Sequence, residues 1–219
     1  MKNKLRYIIK KEVKNILLEN EEIFVPHNLK GRKEKRLQQI YKMLQQKHID
    51  GDLDLRNINI THLGKLESIS GCLYLYNTKI TSIRNLKEVG GGLWLTDIKI
   101  ASLGNLEKVG GYLNLRNTQI TSLGNLEKVG GWLDLRNTPI TSLGNLEKVG
   151  GYLWLENTPI ASLGNLTEVG ESLYLQNTPI ASLGNLTEVG GFLYLRNTPN
   201  LSWDDIPKHL HDQVIGKDK

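Results

Sequence analysis

The stretch that decides the fold is GYLNLRNTQITSLGNLEKVG, Gly111 to Gly130. Nearly the same twenty residues recur without a gap from Gly51 to Leu210, eight times in all. A fixed short period without insertions marks a solenoid, in which one small unit stacks on copies of itself. A single unit cannot bury its apolar face, so its neighbours complete the core.

Within the unit, Leu113 and Leu115 alternate with polar or aromatic neighbours, the period-two pattern of a short half-buried strand. Ile120, Leu123, Leu126 and Val129 are its other apolar residues, and Asn117-Thr118 turns the chain out of the strand. SLGNLEKVGG is too short and too rich in glycine for a regular helix, which predicts turns and tight bends on the outer side. Gly130 and Gly131 are expected to supply backbone angles that other residues resist. Thr118 recurs as Thr78, Thr138, Thr158, Thr178 and Thr198, with Ile58 and Ile98 in its place in the first and third units. Its hydroxyl, pointing inward, must be hydrogen-bonded, most simply to backbone, and a stacked Thr ladder would tie successive coils.

The unit resembles the leucine-rich repeat family. LNLRNTQI fits that family's L-x-L-x-x-N-x-L segment, with Thr118 where Asn is usual, and the likeness runs from about Gly51 to Pro199. The twenty-residue length is similar to the shortest bacterial class. That resemblance implies a parallel sheet on the concave side and mostly turn and loop on the convex side.

On either side of the repeats the pattern changes. Residues 1–50 predict a helical N-terminal cap, with helices at about 2–22 and 32–47 joined by an extended link at Pro26. Leu37, Ile40, Tyr41 and Leu44 form the apolar stripe of the second helix and are expected to lie on the first coil. The solenoid proper is assigned to 51–200. A C-terminal cap and tail occupy 201–219, where Ser202 and Asp205 have the spacing of a capping box. Pro207 suits a first helical turn, and Ile206, Leu210 and Val214 make a stripe that closes this end.

Charge is unevenly placed. Residues 1–50 carry thirteen Lys and Arg against six Asp and Glu, whereas residues 51–219 carry fifteen against seventeen. The basicity therefore belongs to the N-terminal segment, where Lys30, Arg32, Lys33, Lys35, Arg36, Lys42 and Lys47 cluster. That Lys30–Lys47 segment is the one place where nucleic acid would be met. The slightly acidic solenoid lacks the basic surround that a nucleic-acid groove needs. No run approaches the length of a membrane helix, and the N-terminus has no continuous apolar segment of a secretory signal. A single cysteine, Cys72, excludes an internal disulfide and points to a reducing, cytoplasmic setting.

Three positions per strand face away from the core: the residue before the first Leu, the one between the two, and the one after. These columns collect Tyr74, Tyr76, Trp94, Tyr112, Trp132, Tyr152, Trp154, Tyr174, Phe192 and Tyr194. They also hold Arg116, Asp134, Arg136 and Arg196. Aromatics stack across strands for stability alone, with no partner required. Against that stands a comparison inside the chain. Glu107-Lys108 recurs unchanged as Glu127-Lys128 and Glu147-Lys148, while the sheet columns differ from unit to unit. Tyr, Trp and Arg also dominate contact energies at protein interfaces. The reading is a non-enzymatic protein-binding module, with a glycan as a further possible ligand.

No nucleophile–base pair, phosphate-binding glycine loop or metal-ligand spacing occurs, so no enzyme, cofactor or metal site is expected. A different class of reading comes from KLRYIIKKEVKNILLENEE, Lys4 to Glu22, which resembles helical leaders of large tailed-phage proteins. That resemblance implies a structural or packaged virion protein, with Ile16-Leu17-Leu18-Glu19 compatible with cleavage by a prohead protease.

Overall fold

The computed structural model describes residues 32–217, in which the twenty-residue period becomes a parallel β-solenoid of about eight turns. The helix expected at about 2–22 lies outside the described residues. Each turn contributes two strands of two residues, one to each of two parallel sheets. The nine-stranded Leu sheet begins at Leu53–Asp54, passes through Leu113–Asn114 and Leu133–Asp134, and reaches Leu193–Tyr194 before a last strand at Val214–Ile215. The eight-stranded Val sheet starts at His48–Ile49 and proceeds through Lys108–Val109 and Lys128–Val129 to Glu188–Val189. Register never slips: Leu133 pairs with Leu113 on one side and Leu153 on the other.

The second sheet is the main departure from the sequence reading, which placed turns and bends over SLGNLEKVGG. Turns are present around Gly124-Asn125, but Lys128–Val129 then extends and pairs with both neighbouring coils. Only one of its two side chains is buried, so a two-residue strand carries too little alternation to be seen as a pattern.

All inward-facing Leu, Ile and Val side chains join one cluster running from Ile40 to Leu210. Thr118 is buried as expected, but its hydroxyl donates to the Leu115 carbonyl of its own coil at 2.7 Å. Each Thr of the series makes that same local bond. The tie between coils is made by the residue before it. Asn137 Nδ2 donates to Asn117 Oδ1 at 3.1 Å, and Asn117 Nδ2 to Asp97 Oδ1 at 2.8 Å. These residues sit in the left-handed region, Asn117 at φ 58°, which Asn and Asp tolerate better than other non-glycine residues.

The Gly130-Gly131 pair serves a different purpose from the one expected. Neither glycine has a positive φ; a Cβ at Gly130 would collide with the carbonyl oxygen of Gly110 on the preceding coil. Close stacking of backbone on backbone, not an unusual angle, excludes a side chain there.

Helix α1, Arg32–Leu44, precedes the first coil and buries Ile40 and Leu44 in the cluster. It stops before the expected residue 47, because His48–Ile49 already pairs with Ser68–Ile69 in the Val sheet. At the other end Ser202 caps a 3₁₀ turn, Trp203–Asp205, with both bonds of the capping box present. A second 3₁₀ segment, Lys208–Gln213, buries Leu210, and Ile206 is buried beside it. Val214, expected on the helical stripe, instead enters the strand that pairs with Leu193–Tyr194. Among the described residues no helix is long and apolar enough to cross a membrane.

Candidate functional site

The outer face of the Leu sheet carries the predicted columns, and their rings form one continuous strip. Tyr74 stacks on Trp94 with centroids 4.5 Å apart, and Trp94 meets Tyr112 edge-to-face at 6.3 Å. Tyr112 stacks on Trp132 at 4.8 Å, and Trp132 meets Trp154 edge-to-face at 5.6 Å. Tyr152 and Trp154 stack at 5.3 Å, and Trp154 continues onto Tyr174 at 6.0 Å. Tyr174 stacks on Tyr194 at 4.5 Å, with Phe192 standing edge-on to Tyr194. Strand register explains the strip: in-register parallel pairing sets equivalent residues of successive coils beside each other. Of these rings Tyr112, Tyr152 and Phe192 are the most open, at 45%, 37% and 49% exposure.

Tyr76 stands apart from the ring strip and instead accepts a hydrogen bond on its hydroxyl from Arg56 Nη1. Arg56 is held in turn by a two-pronged contact to Asp54, Nε to Oδ1 at 2.8 Å and Nη2 to Oδ2 at 2.6 Å. The same fork recurs at Asp134 and Arg136, with bonds of 2.9 and 2.6 Å. Here the carboxylate is buried and the guanidinium lies over the Trp154 ring, 5.3 Å from its centroid. The fork raises the Arg136 pKa, and in the other coil the Arg56 contact lowers that of Asp54. Residues two apart on a strand share a face, so Asp54-Leu55-Arg56 and Asp134-Leu135-Arg136 are readable from sequence.

Arg116 and Arg196 lie in the same column but are not clamped. The residue two before Arg116 is Asn114, which accepts from the Arg116 backbone N–H at 3.1 Å, and two before Arg196 is Tyr194. Both arginines are exposed, and among the described residues neither has a carboxylate within ion-pair distance. Of the two neighbouring arginines in this column, Arg116 and Arg136, the Asp134 ion pair forms with Arg136.

Glu156 and Gln176, neighbours in the same column, escaped the sequence reading. Glu156 Oε2 and Gln176 Oε1 are buried without a hydrogen-bond partner among the described residues. Burial raises the Glu156 pKa despite the opposing pull of Arg136. No sequence signal marks this pair, since a glutamate and a glutamine in an outward-facing column read as solvated side chains.

Three tyrosine hydroxyls of the strip are held more firmly protonated than usual. Burial raises the Tyr74 and Tyr174 pKa values, and a hydrogen bond to Glu171 raises that of Tyr152. Among the described residues no three His, Cys, Asp or Glu side chains converge as a metal site.

The Val sheet presents a different surface. Several of its charged residues pair between coils: Glu67, half-buried, with Lys47 at 2.7 Å and Lys87 at 2.9 Å, Lys108 with Glu88, and Lys148 with the half-buried Glu168. The hydrogen bonds from Lys47 and Lys87 lower the Glu67 pKa to about 2.

No family model, no curated protein and no solved structure matches this chain.

Proposed function

We propose that the protein is a non-enzymatic protein-binding module of the leucine-rich-repeat type, reading its partner with the aromatic face of the Leu sheet. In this reading α1 and the C-terminal 3₁₀ segments cap the stack and the varied columns supply specificity. One observation carries the proposal: nine aromatic rings, from Tyr74 to Tyr194, form an unbroken strip on an outer sheet face. An exposed contiguous apolar patch of this kind is a mark of an interaction surface.

The contrast between the two exposed faces supports it. On the Val sheet Glu107-Lys108, Glu127-Lys128 and Glu147-Lys148 are identical copies, and Lys108 and Lys148 pair with Glu88 and Glu168 of adjoining coils, whereas the Leu-sheet columns change from coil to coil. Ring orientation favours a protein over a glycan. A sugar or a base stacks on a free ring face, but Tyr74/Trp94, Tyr112/Trp132 and Tyr174/Tyr194 cover each other's faces.

The test is capture of a partner from the native host by the wild-type chain and by the triple variant Tyr112→Ser, Tyr152→Ser, Phe192→Ser. These three rings are the most open, so the variant stays folded by circular dichroism. A discrete protein retained by the wild type and lost by the variant supports the proposal. Equal retention by both refutes it.

A further inference from the structure

We infer that the partner segment lying on the aromatic strip is acidic, with carboxylates read by Arg116 and Arg196; this rests on the protein-binding reading above. Three features of the face converge on that chemistry. The first is the contrast among its four arginines. Arg56 and Arg136 are neutralised from within by Asp54 and Asp134. Arg116 has Asn114 where those coils have Asp, and Arg196 has Tyr194, so both guanidinium groups are left to solvent. An arginine fork matches a carboxylate bidentately, which makes an unclamped one on a binding face a carboxylate reader.

The second feature is the way the rings stand. Where neighbours stack face to face along the coil axis, as Tyr174 and Tyr194 do at an interplanar angle of 6°, the side turned outward is the ring edge. An aromatic ring is negative on its face and positive at its edge, so a row of edges prefers carbonyl and carboxylate oxygens. Protonated tyrosine hydroxyls on the same face add donors.

The third feature is distance. Arg116 and Arg196 are four coils apart, and at about 4.8 Å per parallel strand this is roughly 19 Å. An extended chain rises about 3.3 Å per residue, so its two acidic side chains would be about six residues apart. The residues between them would lie over the Trp132–Tyr194 part of the strip.

The experiment measures binding of a fluorescein-labelled random glutamate–tyrosine copolymer by anisotropy, beside poly-L-lysine, hyaluronate and single-stranded DNA. The wild type is expected to bind the copolymer at least about tenfold more tightly than the other three, less tightly as salt rises. Arg116→Glu with Arg196→Glu should weaken it by about tenfold or more with the melting temperature held, since both side chains are exposed. Equal copolymer binding by wild type and double variant overturns the inference. So does failure of the wild type to bind the copolymer, or preference for lysine polymer, hyaluronate or DNA. If partner capture is lost in the Tyr112, Tyr152, Phe192 serine variant but kept in the double arginine variant, the binding face stands and its acidic preference falls.

Discussion

At the scale of single residues, the coil is held by local groups whose roles separate cleanly. Asn117 combines a left-handed backbone with amide bonds to the coils on both sides. Asn117→Gly keeps the backbone comfortable and loses the amide bonds, costing about 1 kcal/mol, whereas Asn117→Ala adds backbone strain and costs about 2–3 kcal/mol. Urea denaturation of the two variants checks the order. Asp134→Ala should cost about 2 kcal/mol, because it strips a buried carboxylate from a partly buried guanidinium; Asp54→Ala, at an exposed fork, should cost under about 1 kcal/mol. Glu156 works the other way. Its folded pKa is raised, so the folded state binds the proton more tightly than the unfolded chain. Its contribution therefore weakens stability as pH rises from the ordinary glutamate range through the raised value. Glu156→Gln should melt higher than the wild type at pH 7, and the advantage should vanish near pH 4. Glu67 has the opposite sign: held at about 2, its contribution is full above the ordinary range and is lost as pH falls toward that value. None of these four side-chain roles follows from residue type alone except the Asp-x-Arg spacing.

At the scale of the elements, what could be read depended on how long each pattern is. The Leu-x-Leu strand repeats eight times with buried positions two apart, so its existence, spacing and outward columns were legible. The Val-sheet strand was not, because each copy buries one side chain of two and sits between a turn and a glycine pair. Gly130 was recognised as obligatory for the wrong reason, since sequence does not show how near the next coil lies. Val214–Ile215 was hidden in the same way: a helical stripe and a short strand share that spacing, and pairing with Leu193–Tyr194 decides between them. The elements flanking the stack do the work a solenoid needs at its ends. Leu44 is fully buried between α1 and the first coils. Leu44→Ala should cost about 3 kcal/mol, read as a shift in the unfolding midpoint. Loss of protection on hydrogen exchange should be greatest in the coils nearest that end, because each repeat relies on its neighbours.

At the scale of the whole molecule, the stack has two outer sheet faces with opposite character. The Val-sheet face carries lysines and glutamates, of which Lys108 and Lys148 pair with Glu88 and Glu168 on adjoining coils, while Lys128 stands in register between Lys108 and Lys148. Ion pairs so exposed add little stability, which makes this face a solvated wall. The Leu-sheet face carries rings that stack and still leave Tyr112, Tyr152 and Phe192 open. Stacking stabilises the coils, and each favourable ring pair contributes about 0.5–1.5 kcal/mol beyond its buried area. Stability alone would be served as well by one ring type copied from coil to coil, as Glu107-Lys108 is copied at Glu127-Lys128 and Glu147-Lys148. The columns vary instead, and that variation is legible in the sequence alone. Sequence could not show that the stacked rings, Tyr174 and Tyr194 among them, turn their edges outward. The direct test of the account is where a partner touches. A benzophenone photo-crosslinking amino acid is placed in place of Tyr152 on one face, and of Lys128 on the other, and each chain is irradiated with the captured partner. The account predicts an adduct from position 152 and none from position 128. An adduct from position 128 alone, or equal yields from both, would contradict it.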